Sequence, residues 1–110
     1  MSMQINISPV SGTATAVLPP RVVVTNSQEL RRELQQTATD NELSRLVLDL
    51  SQVEFMDSSG IGVLVSLLKS MRATGGDVVL LKPQGSVRML LDLTRLSSVF
   101  TIAPNTVQAA

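Results

Sequence analysis

Phe55 to Lys69 reads FMDSSGIGVLVSLLK, and the junction Asp57-Ser58-Ser59-Gly60 inside it divides a strand-like run from a helix-like run. Upstream, Leu46-Val47-Leu48-Asp49-Leu50 is apolar on both sides for most of its length. That pattern suits a central strand covered on two faces, or on one face with a well-filled edge. Val53 to Met56 continues extended or turning, and a helix is expected from Ser58 or Ser59 to the stop signal Gly75-Gly76. Val78 to Leu81 is the next buried strand, closed by Pro83.

Working outward, Ser86 to Thr94 carries Val87, Leu90 and Leu91 on one face of a third helix, and Val99 to Ile102 forms a last strand. Towards the start, residues 4–7 and 13–18 read as two strands joined at Ser11-Gly12. Pro19-Pro20 ends that pairing, because proline cannot donate to a ladder. Thr25 with Gln28, or Asn26 with Glu29, offers a capping pair for an amphipathic helix over residues 27–38. The order is ββαβαβαβ, an α/β fold with a small, mixed, mostly parallel sheet backed by helices and right-handed crossovers. Residues 1–103 form a single domain, and residues 104–110 read as a loose tail.

Composition narrows the chemistry. There is no cysteine and no histidine, so thiol chemistry, disulfides and the usual general base and metal ligand are all missing. Formal net charge is zero, which leaves no electrostatic footprint for nucleic acid or an anionic membrane. Phe55 and Phe100 are the only aromatics, too few for a base-stacking platform. No apolar run approaches the ~18 residues of a membrane span, and no signal-peptide layout opens the chain. A cytoplasmic, non-enzymatic protein without metal or cofactor is expected.

On a wheel turning 100° per residue, Ile61, Leu64, Val65, Leu68 and Met71 gather on one face of the helix behind the junction. Gly62, Val63, Ser66, Ser70 and Ala73 fall opposite, with Lys69 at the edge. Surface helices usually carry Glu, Lys and Gln there, so this smooth strip suits close approach by another protein. Val63→Glu is then expected to damage binding while leaving the melting temperature nearly unchanged.

Asp57-Ser58-Ser59-Gly60 admits four readings. One of its side chains caps the helix, although a cap does not require a second serine. A hydrolase nucleophile would need G-x-S-x-G, which Met56 and Asp57 do not match, and without histidine only Lys69, Lys82 and the carboxylates remain as bases. A phosphate cradle at the helix N-terminus lacks a lysine in the turn and has Asp57 to repel the anion. A serine that itself receives a phosphate is compatible with the helix dipole and would put a dianion on the surface beside Asp57.

LVLDLSQVEFMDSSGIGVLVSLLK, followed by Gly75-Gly76-Asp77-Val78-Val79-Leu80 and the closing LLDLTRLSSVFTI, resembles the STAS domain family. Within it, the chain is similar to the stand-alone anti-sigma factor antagonists of bacterial partner-switching systems. The likeness is good over residues 46–102 and extends to residues 1–45 in layout only. It implies that Ser58 is phosphorylated by a serine-kinase anti-sigma factor, that a phosphatase acting on phospho-Ser58 resets it, and that the unmodified form binds the anti-sigma factor. It also implies a partner surface of Asp57, Ser58, Ser59 and Gly60 with Gly62, Val63, Ser66 and Ser70. Two departures stand out. The acidic element many members carry before the first helix is replaced by Pro19-Pro20-Arg21-Val22-Val23, and the glycine common in the last loop is Arg95. The alternatives are a STAS docking subunit of another complex, such as a transporter, and a nucleotide-sensing module.

Overall fold

Alternation along β2 (Thr13–Val17), β4 (Arg45–Asp49) and β6 (Asp77–Leu81) gives the sheet two unlike faces. The computed structural model describes residues 3–8 and 11–103. Its main sheet has the strand order β1-β2-β4-β6-β7, with β1 (Gln4–Ser8) antiparallel to β2 and the remaining neighbours parallel, through β7 (Thr101–Ala103). This is the mixed, mostly parallel sheet that the residue pattern predicts. Register aligns Ala14 with Leu46 and Val78, and Ala16 with Leu48 and Leu80, and all six are fully buried. Each of those leucines contributes roughly 1.5–3 kcal/mol relative to an exposed position.

Three helices fill the core against this face. Leu30 and Leu34 come from α1 (Val24–Asp40), Leu64, Leu67, Leu68 and Met71 from α2 (Ser58–Ala73), and Val87 and Leu91 from α3 (Gly85–Leu93). Val47, Val79 and Leu81, with Ala103, form a separate small cluster on the other face. β4 is thus the central strand, and its two apolar sides meet different clusters. Among the described residues no helix is long and apolar enough to cross a membrane.

A second, two-stranded sheet pairs β3 (Arg21–Val22) with β5 (Phe55–Met56) in parallel. β3 was not expected, since two residues after a Pro-Pro pair show no period. It holds the segment before α1 against the segment before α2, bringing the two helix starts together.

Element ends differ from expectation where tertiary partners intervene. α1 begins at Val24 rather than residue 27, because the Val23 and Val24 N–H groups find acceptors in Asn26 Oδ1 (2.9 Å) and Asp57 Oδ2 (3.2 Å). Asn26 therefore supports the helix from inside its first turn instead of preceding it as the cap, and Thr25 also lies within the helix. The last strand is shorter and later than predicted. A single 3₁₀ turn, Leu96–Ser98, precedes it. Arg95 before that turn has φ 62°, a left-handed conformation that costs a side-chain-bearing residue roughly 1–2 kcal/mol. The position is thus a backbone constraint, more than the surface variation its side chain suggests. The predicted tail at 104–110 lies outside the described residues.

Candidate functional site

Asp57 organises the junction. It is the N-cap of α2, and its Oδ1 accepts from the N–H groups of Ser59 (2.8 Å) and Gly60 (3.2 Å). Its Oδ2 accepts from the Val24 N–H at the start of α1 (3.2 Å). One carboxylate thus satisfies orphan donors on two helices, and its negative charge sits where both dipoles favour it. Its own N–H donates to the Val22 carbonyl (3.2 Å), which locks the junction to β3.

With the cap supplied by Asp57, neither serine hydroxyl has to serve as one. Ser58 is the first residue of α2 and is exposed, while Ser59 is half-buried. Gly60 is buried because β3 and β5 press on it: a Cβ there would clash with Met56 Cγ and lie 2.9 Å from the Val22 carbonyl oxygen. The close passage of the chain into the helix requires a residue without a side chain at that point.

Beyond this turn, α2 packs against α1 as well as the sheet, and that corrects the helical wheel. Its buried residues are Gly60, Val63, Leu64, Leu67, Leu68 and Met71, an arc rotated towards Val63 and Leu67. Val63 is only 4% exposed, so its side chain belongs to the core and not to an outer face. Ile61 and Val65, expected on the buried face, are half-buried.

Gly62, Ser70 and Ala73 are exposed as expected, and nothing lies within 4 Å of a Cβ built on Gly62. Ser66 is half-buried, its Oγ accepting from Gln35 Nε2 of α1 (3.4 Å). Ser59, Gly62 and Ser66 line a shallow groove with Val24, Gln28 and Arg31 of α1. Ser70 lines a different depression with Ala38, Thr39 and Thr74. The fold therefore gathers Asp57, Ser58, Ser59 and Gly62 at the start of α2, with Ser66 farther along the same groove, and it leaves Ser70, about three turns beyond Ser58, in a different depression.

Three residues at this end escaped the sequence reading, Val24, Arg31 and Phe55, and Arg21 entered it only as part of the departure at Pro19-Pro20-Arg21. Val24 is 68% exposed and Phe55 43%, which places two uncovered apolar side chains at this end of the helix pair. The Arg21 guanidinium lies over the Phe55 ring, 5.1 Å from its centroid. The available signal was the Pro19-Pro20-Arg21-Val22-Val23 stretch, which stands where many family members carry an acidic element. Among the described residues, no cluster of His, Cys, Asp or Glu could hold a metal ion.

What these residues make is an exposed hydroxyl at a helix start, bordered by small side chains and two uncovered apolar ones, on a mixed α/β domain. The chain belongs to the STAS domain family, whose profile matches residues 18–109. It is 28% identical to the anti-sigma F factor antagonist of Paenibacillus polymyxa over 109 residues, covering 99% of this chain and 93% of that protein. An anti-sigma-B factor antagonist of Listeria monocytogenes is 37% identical over 57 residues, covering 52% of this chain and 50% of that one. Among solved structures, TM1081 of Thermotoga maritima superposes with a TM-score of 0.84 at 25% identity, covering 94% of this chain and 86% of that one. The unphosphorylated anti-sigma factor antagonist SpoIIAA has the same fold, with a TM-score of 0.75 at 17% identity over 96% of this chain and 90% of that one.

Proposed function

We propose that this protein is an anti-sigma factor antagonist that works by binding, through the first turn of α2 and the adjoining α1–α2 groove, a serine-kinase anti-sigma factor. Phosphorylation of Ser58 switches the contact off, and a phosphatase restores it. The observation that carries this reading is the division of labour at the junction. Asp57 holds the helix N-terminus, which leaves the Ser58 hydroxyl exposed with no structural duty. A phosphate there adds about −1.5 to −2 charge at a helix N-terminus, where the fold tolerates it, and a docked partner does not. The full-length relative at 28% identity is an antagonist, and SpoIIAA, which shares the fold, is known in a phosphorylated as well as an unphosphorylated form.

The test is mass spectrometry of the protein after incubation with ATP and each candidate anti-sigma kinase. Phosphate is expected on Ser58, and a Ser58→Ala variant stays unmodified while binding the kinase normally. Ser58→Asp is expected to fold and to bind over a hundredfold more weakly, a loss of about 3 kcal/mol. Binding of Ser58→Asp at wild-type strength would sink the switch.

A second reading, a docking subunit of a transporter, has one observation in its favour. The mouse anion transporter Slc26a9 contains a region of this fold, with a TM-score of 0.71 at 21% identity over 86% of this chain and 16% of that one. Capture of a transporter with no phosphate on Ser58 would favour it.

A further inference from the structure

β3 carries a cation, Arg21, beside the strand that leads into Ser58. Arg21 is exposed, its backbone carbonyl is fixed by the Asn26 side-chain amide (2.8 Å), and its guanidinium rests on the exposed Phe55 ring. The cation–π contact holds the charge at the ring while Arg21 stays exposed to solvent. The ion pairs among the described residues are Arg72–Asp77 and Arg88–Asp92, so Arg21 has no carboxylate partner among them. The nearest candidates in the chain do not serve: Glu54 is exposed without pairing to it, and Asp57 spends both oxygens on backbone N–H groups.

β3 pairs Arg21 with Phe55, three residues before Ser58, and Val24 is tied to Asp57. Arg21, Phe55 and Val24 therefore flank the same helix start. An arginine braced on an aromatic ring beside an uncovered valine has the composition of an interface centre, where desolvation makes a bidentate carboxylate contact strong.

We infer that Arg21 and Phe55 form the specificity anchor of the docking surface, and that the partner presents a carboxylate to Arg21 next to an apolar spot that covers Phe55 and Val24. This rests on the docking reading above and adds to it the chemistry of the partner. An antagonist built this way pairs with a partner acidic at this point and rejects one that is basic there.

The experiment uses the full chain and the purified serine-kinase anti-sigma factors of the same organism, titrated one at a time by calorimetry at about 50 and 300 mM salt. For the kinase that binds, Arg21→Glu is expected to weaken affinity at least thirtyfold, and Arg21→Gln and Phe55→Ala about tenfold. Affinity of the wild type falls with salt, and that of Arg21→Gln falls less. Thermal melts check that each variant stays folded, which these exposed positions allow. If Arg21→Glu binds as tightly as wild type, or more tightly, while Ser58→Asp does not bind, the docking reading stands and the acidic-partner inference is overturned. If no kinase binds the wild type, both fall.

Discussion

Gly60 and Gly62 stand two residues apart in α2 and meet opposite surroundings. Gly60 is wedged against β3 and β5, with the Val22 carbonyl oxygen 2.9 Å from where a Cβ would sit. Gly62 faces open space, with no atom within 4 Å of its own hypothetical Cβ. One glycine is required by the fold. The other weakens the helix by roughly 1 kcal/mol relative to alanine with no packing gain. The first turns of α2 thus contain a seam built for closure and an edge left low, and Ser58 opens onto the edge. Substitutions on the two sides should behave as differently as the surroundings do.

The largest effect belongs to Val63, which lies next to Gly62 in sequence but on the buried side. Val63→Glu would force a carboxylate among Leu64, Leu67 and the α1 residues. A loss of about 4 kcal/mol or more is expected, much of the stability of a domain this size. Chemical denaturation reads this directly. A variant as stable as wild type would place Val63 on the open side after all and erase the contrast.

Gly60→Ala probes the seam itself. The flexible Met56 side chain can shift, but the Val22 carbonyl belongs to a backbone that also accepts the Asp57 N–H. Overpacking of this kind costs about 1–3 kcal/mol, partly offset by the better helix propensity of alanine. A net loss of about 1–2 kcal/mol is expected in urea unfolding. A gain would show that β3 is not held firmly against the helix.

The limits of the helix itself were legible in its residues. Asp57 caps it, and Gly75 with φ 83° stops it just past Ala73. The strands on either side are equally plain, because apolar runs bounded by turn residues leave few alternatives. The direction in which α2 faces was not legible. Val63 and Val65 flank the apolar arc symmetrically, and a wheel cannot choose between them without knowing where α1 lies. α1 lies on the Val63 side, a fact carried by long-range contacts such as the one from Gln35 Nε2 to Ser66 Oγ. The same distance hid the bond from the Val24 N–H to Asp57 and the pairing of Arg21 with Phe55. Sequence periodicity therefore located the junction and the outward side of Gly62, the family resemblance singled out Ser58, and the second wall of the groove came from tertiary packing.

The smallest effect sharpens the comparison most. Gly62→Ala adds a methyl group that meets nothing, removes backbone entropy from the unfolded chain and improves helix propensity. Stability should rise by about 0.5–1 kcal/mol, the reverse of Gly60→Ala two residues earlier. Binding should change little, since a methyl group barely raises the edge. Gly62→Gln should keep most of that stability gain, because glutamine is nearly as good a helix former, yet place a long side chain across the mouth of the groove. Stability and affinity then move in opposite directions at one position. A packing role for Gly62 would move them together, with both falling.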